Sequence, residues 1–134
     1  MNNAYEIPNL RFSLPAGENI PRRRFISVNP SGKGVLATAG GSTIGVSMNE
    51  AAEGEVLEVA DGIVIVETSA AINAGDSISV ATDGRAVTTT NGTTTNDTTT
   101  NDTTTNDTTT NGIVVGTALT SAAGANLFVT VKLL

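Results

Sequence analysis

From Arg22 to the C-terminus the apolar residues fall in short runs that alternate with polar ones. "RRFISV" leads through the turn-rich "NPSGKG" into "VLATA", and Gly40-Gly41 interrupts the chain before "STIGVSM". "EVLEVA" and "IVIVETS" flank Asp61-Gly62. "DSISVAT" and "RAVTTT" flank Asp83-Gly84, and the chain closes with "IVVGTAL" and "NLFVTVKLL". Alternation with period two, bounded by Gly, Pro, Asn and Asp, predicts strands, and Asp-Gly between two such runs predicts hairpin turns. About nine or ten short strands at this spacing predict an all-β protein, a small barrel or sandwich. The Ala-rich links "NEAA" and "TSAAINA" admit single helical turns and no more.

The first 21 residues read differently. Pro8, Pro15 and Pro21 block helix and favour extended chain, which predicts an N-terminal arm over 1–21 and a β domain over 22–134. Within the arm Leu10, Phe12 and Leu14 alternate with Arg11 and Ser13, a short strand with one apolar face. Such a strand either pairs within its own chain or adds to the sheet edge of another. The residues predicted to carry the second role are Leu10, Arg11, Phe12 and Leu14.

A repeat underlies the domain. "AEGEVLEV", "NAGDSISV" and "AAGANLFV" share a pattern in which Gly54, Gly75 and Gly124 stand three residues before Leu57, Ile78 and Leu127. "IGVSMNEAA" (44–52) also matches "VGTALTSAA" (115–123), so one strand–turn–strand unit is used twice or three times.

Residues 88–112 form a second, unrelated repeat: TTTN[GD] written five times, with fifteen Thr and no apolar residue. Reduced to one unit the segment reads "DGRAVTTTNGIVVGTAL", a hairpin with an Asn-Gly turn, so the run is expected to be a multiplied hairpin tip. Thr93, Asn96, Asp97, Asn101, Asp102, Asn106 and Asp107 would then project from the domain. Because the period is odd, neither face of such a ribbon becomes apolar. An ordered run therefore requires neighbouring copies to pack together, and threonine and asparagine side chains must satisfy one another.

Composition narrows the chemistry. The chain has 134 residues, no His and no Cys, and a net charge of −6. Ser–His and Cys–His nucleophile pairs are therefore excluded, as are disulfides and thiolate or imidazole metal sites. No cofactor, metal or catalytic site is expected. The acidic balance argues against a nucleic-acid partner. No apolar run approaches the roughly 18 residues of a spanning helix, so no membrane partner is expected and synthesis in a cytoplasm is.

Glu50, Glu53, Glu55 and Glu58 crowd one segment, which fits the solvent face of an edge strand better than paired catalytic carboxylates. "SGKGV" fails the phosphate-loop test, since Ser27 stands where the first Gly is needed and Gly34 where Ser or Thr is needed. Arg22-Arg23-Arg24 is the one basic cluster; it is either a solvated strand start or a contact for an acidic protein surface. Aromatic residues are only 3% of the chain, so the core must be built from Val, Ile, Leu and Ala.

"FISVNPSGKGVLA", "IGVSMNEAAEGEVLEVADGIVIVE", "INAGDSISVATDGRAV" and "VVGTALTSAAGANLFVTVKLL" together resemble the small capsid cement, or head decoration, proteins of phages. The resemblance covers most of residues 22–134 outside the Thr-rich run. It implies a non-enzymatic structural protein on the outer capsid surface of the virion. Such a protein would bind the major capsid protein as a homotrimer and bridge capsid subunits by avidity. Arg22, Arg23 and Arg24 would be further capsid contacts. The alternative is an adhesin displayed on the virion, with the Thr-rich run binding a host surface or glycan.

Overall fold

The structure is a computed structural model that describes residues 4–89 and 112–134. Among the described residues nine strands form one curled antiparallel half-barrel, so the expected all-β class is the observed one. They are β1 (Ile7–Pro15), β2 (Phe25–Val28), β3 (Gly34–Leu36), β4 (Gly45–Ser47), β5 (Val56–Glu67), β6 (Ser77–Val80), β7 (Ala86–Thr88), β8 (Gly116–Ala118) and β9 (Phe128–Leu133). Among the described residues the one helical turn is a 3-10 turn at Thr82–Gly84, between β6 and β7.

The twelve-residue β5 is the hub of the sheet. Ala60 pairs with both Arg11 and Val46, and Ile63 with both Ile7 and Lys132. β1 therefore occupies one edge of β5, while β4 and β9 follow each other along the other. Asp61-Gly62, expected to be a hairpin turn, lies inside this continuous strand. Gly62 has φ +113, its N–H donates to Asp61 Oδ1 at 2.8 Å, and the register with β1 shifts between Pro8 and Leu10. The extra residue of this bulge is Asn9 of β1, opposite Asp61-Gly62, and the strands paired along β5 keep the chain extended where the sequence offers a turn.

The sheet is built twice. In β2–β3, Ile26, Ser27 and Val28 pair with Leu36, Val35 and Gly34; in β6–β7, Ile78, Ser79 and Val80 pair with Thr88, Val87 and Ala86, every partner displaced by 52 positions. Phe12 and Leu14 of β1 face Val59 and Leu57 of β5 just as Val64 and Val66 of β5 face Val131 and Val129 of β9. The irregular segments follow suit. Ile20 and Ala51 exchange two backbone hydrogen bonds, as do Ile72 and Ala122, and the parallel bridge Ala16–Gly34 recurs as Thr68–Ala86. β5 thus serves both units: its first half closes unit one and its second half opens unit two. The described residues form two such units and no third. "NAGDSISV", matched from sequence to the closing strand, is instead the β6 entry, equivalent to Pro21–Val28.

Equal geometry imposes equal residues where space is short. A Cβ on Gly45 would lie 2.5 Å from Ala60 O, and one on Gly116 would lie 2.5 Å from Lys132 O. β4 and β8 therefore approach their neighbours as closely as only glycine allows.

The core follows the duplication. Ala16, Ile20, Ile26, Ala51, Leu57 and Val59 form the buried cluster of unit one. The matching Ile72, Ile78, Val129 and Val131 of unit two are buried together with Phe25, Val46 and Ala60, which unit one contributes from its opposite face. The counterparts of that stripe in unit two are Ser77, Thr117 and Lys132, all exposed. Unit one has an apolar back that seals unit two; unit two has a polar back that faces water.

Residues 7–15, expected within an arm, are a strand of this sheet, paired with β5 within the chain. Ala16 and Ile20 are buried, so the fold has no boundary at residue 21.

Candidate functional site

Three surface features bring the singled-out residues together or separate them. The first is β1. Phe12 and Leu14 turn inward and are half-buried against the unit-one cluster. Leu10 sits opposite Asp61, past the end of that cluster, and is 57% exposed. Arg11 lies 3.3 Å from Glu58 with both side chains largely in solvent, a pair that contributes little. Among the described residues β1 pairs with β5 alone, so strand addition to another chain would use its other edge and leave Leu57 and Val59 covered.

The second feature is the root of the Thr-rich run. Thr93, Asn96, Asp97, Asn101, Asp102, Asn106 and Asp107, and the projection expected of them, lie outside the described residues. The flanks are described. β7 and β8 both pair with β6, one on each side, and make no pairing with each other among the described residues. The chain between β7 and β8 therefore joins strands on opposite sides of β6; the hairpin tip expected of the run lies outside the described residues. The matching link in unit one spans 37–44 and that in unit two spans 89–115, nineteen residues longer. Both ends of the longer link meet at Ser79, which is 3% exposed. Its Oγ lies 2.5 Å from Thr89 Oγ1 and donates to Ile113 O at 3.0 Å. Ile113 N–H in turn donates to Gly40 O of the unit-one link at 3.2 Å.

The third feature is the arginine turn that leads into β2. Ser47, fully buried, donates from Oγ to Pro21 O at 2.7 Å and accepts from Arg24 N–H at 3.0 Å, which fixes the turn's backbone. The three arginines then diverge. Arg24 reaches Glu67 at 3.3 Å and donates to Asp83 O at 3.0 Å, tying the two units. Arg23 reaches Glu6 at 2.6 Å from a backbone with φ +63. Arg22 is exposed and makes no ion pair among the described residues.

Glu6 belongs to a strap. Tyr5 N–H donates to Thr130 Oγ1 at 2.5 Å, and Thr130 Oγ1 donates to Tyr5 O at 2.7 Å, which holds residues 4–6 across the outer face of β5 and β9. Strap, turn and strands enclose a groove of about 530 Å³, lined by Ala4, Arg22, Arg23, Ile65, Glu67 and Phe128. Sequence reasoning found the arginines but missed Ile65, Phe128 and Ser79. The available signal was the internal repeat, which sets Arg23 against Gly75.

The glutamates expected on a solvent edge are dispersed. Glu55 accepts from Ala52 N–H at 2.8 Å, Glu58 pairs with Arg11, and Glu50 and Glu53 are exposed. No group of three acidic residues among the described ones is arranged to hold a metal ion.

No family model matches the chain. No curated protein matches it in sequence. Among solved structures it is similar to the N base of the head fiber gp8.5 of bacteriophage phi29, with a TM-score of 0.67 over 93% of this chain and 93% of that one, at 19% identity. At that identity the likeness establishes a shared fold, extending over nearly the full length of both chains.

Proposed function

We propose that this chain is a structural component of a phage virion, a decoration protein that docks on the outer surface of the assembled head and bridges capsid subunits. The observation that carries the reading is the fold shared along nearly the whole chain with the N base of a phage head fiber. The motif resemblance to head decoration proteins, reached from the residues alone, points the same way. In this reading the two-unit sheet is the base, and the link across β6 carries the Thr-rich run away from the head. Assembly as a homotrimer gives each base several capsid contacts, so weak individual contacts combine at high effective concentration.

The test is direct. Purified protein is mixed with heads assembled without it, sedimented, and imaged by electron microscopy. Ordered density on the outer head surface, at a fixed copy number per symmetry axis, is the expected result. Protein that remains in the supernatant at micromolar concentration would refute the reading.

A further inference from the structure

The duplicated fold supplies its own control for the arginine turn. In unit two the positions of Arg22, Arg23 and Arg24 are held by Ala74, Gly75 and Asp76. The turns match: Arg23 N–H donates to Ser47 O at 2.9 Å, and Gly75 N–H donates to Ala118 O at 2.8 Å. Both residues have positive φ, +63 at Arg23 and +95 at Gly75. Glycine makes this turn without steric cost, whereas a side chain there is strained. The turn itself has no need of an arginine. Strain retained where a costless alternative is visible in the same molecule points to a use for the side chain.

That use is the groove. Arg23 draws Glu6, and with it the strap, against the outer face of β5 and β9, and so builds one wall. Within the lining Arg23 is neutralised by Glu6 and Glu67 by Arg24. Arg22 is left as the uncompensated charge, in a chain whose net charge is −6. Beside it stand the apolar Ile65 and the 38% exposed Phe128. A guanidinium and an open aromatic ring that line one groove suit a carboxylate carried near an apolar side chain.

We propose that this groove is the docking site for an extended segment of a capsid protein that carries a carboxylate flanked by an apolar residue. The carboxylate seats on Arg22 and the apolar side chain seats on Phe128 and Ile65. The assignment of the partner rests on the virion reading above. Inorganic anions and anionic membranes would satisfy Arg22 but leave the apolar wall unused.

The experiment measures binding to heads assembled without the protein, for the wild type, Arg22→Glu, Arg22→Lys, Phe128→Ala and Ala74→Glu. Thermal unfolding is run on each variant to confirm an unchanged fold. Arg22→Glu is expected to weaken binding by about tenfold or more, and Phe128→Ala by about fivefold to tenfold, as for a desolvated charge and an aromatic anchor. Arg22→Lys should keep part of the affinity, because it retains the charge without the fork. Ala74→Glu, which places the same carboxylate at the matching turn of unit two, should bind like the wild type. If the wild type binds and both Arg22→Glu and Phe128→Ala bind equally well, the groove is not the site, and the virion reading stands. If the wild type itself does not bind heads, the virion reading falls and takes this assignment with it.

Discussion

Phe25 offers the sharpest test of the two-unit core. It is fully buried and heads the largest fully buried side chains. With Val46 and Ala60 it forms the stripe by which unit one covers Val64, Val66, Ile78, Val129 and Val131. Phe25→Ala removes an aromatic ring from a place where two units meet, so neither can relax inward without moving the other. Substitutions of this kind cost about 3–5 kcal/mol, and the rigid surroundings place this one in the upper half of that range. Domains of this size are stable by roughly 5–15 kcal/mol, so the loss is a large fraction of the total. With a urea slope of about 1.5 kcal/mol per molar, the unfolding midpoint should fall by about 3 M. The control is Ser77→Ala at the matching position of unit two. Ser77 is exposed, and the change should stay within about 0.5 kcal/mol. A loss below about 1 kcal/mol for Phe25→Ala, or equal losses at the two positions, would refute the shared core.

Three further outcomes follow from the same geometry. Excising residues 92–110, which gives the unit-two link the length of its unit-one counterpart, should stabilise the fold by about 1 kcal/mol through loop-closure entropy; a loss of several kcal/mol in urea unfolding would show the run to be integral to the domain. Ser79→Ala should cost about 1–2 kcal/mol, because it leaves Ile113 O and Thr89 Oγ1 without their buried partner, and an unchanged unfolding midpoint would count against the clamp. Gly45→Ala and Gly116→Ala should each cost more than about 2 kcal/mol, since their Cβ atoms would meet a carbonyl oxygen at 2.5 Å; Gly54→Ala, at φ +89 but with open space, should cost only about 1 kcal/mol, and calorimetry distinguishes the two classes.

The strand content and the all-β class were legible because alternation is a local signal: "VLEVA" and "IVIVE" each declare an inward face within five residues. What joined them was not legible. Asp61-Gly62 carries the chemistry of a turn, and only the strands on either side of β5 make it a kink. The repeat is visible as glycine spacing, but that spacing aligns it two residues short. Gly54 matches Asn126 in the structure, both with positive φ, and not Gly124. Asparagine tolerates that conformation nearly as glycine does, which conceals the match from a search for glycines. The N-terminal segment was readable as extended, but whether it pairs within the chain depends on the distant β5. The arginine cluster was visible as charge, yet its three members have different fates because Glu6 and Glu67 reach it from remote parts of the chain.

The link of unit one, 37–44, crosses β2 in the way the Thr-bearing link crosses β6, and the two meet where Ile113 N–H bonds Gly40 O. The molecule therefore carries two equivalent sockets and fills only one with a long segment. A foreign peptide grafted at the Thr38–Gly41 turn would emerge beside the natural run. A single chain would then present two different segments side by side at one point of the surface, at a spacing set by the fold and independent of either sequence.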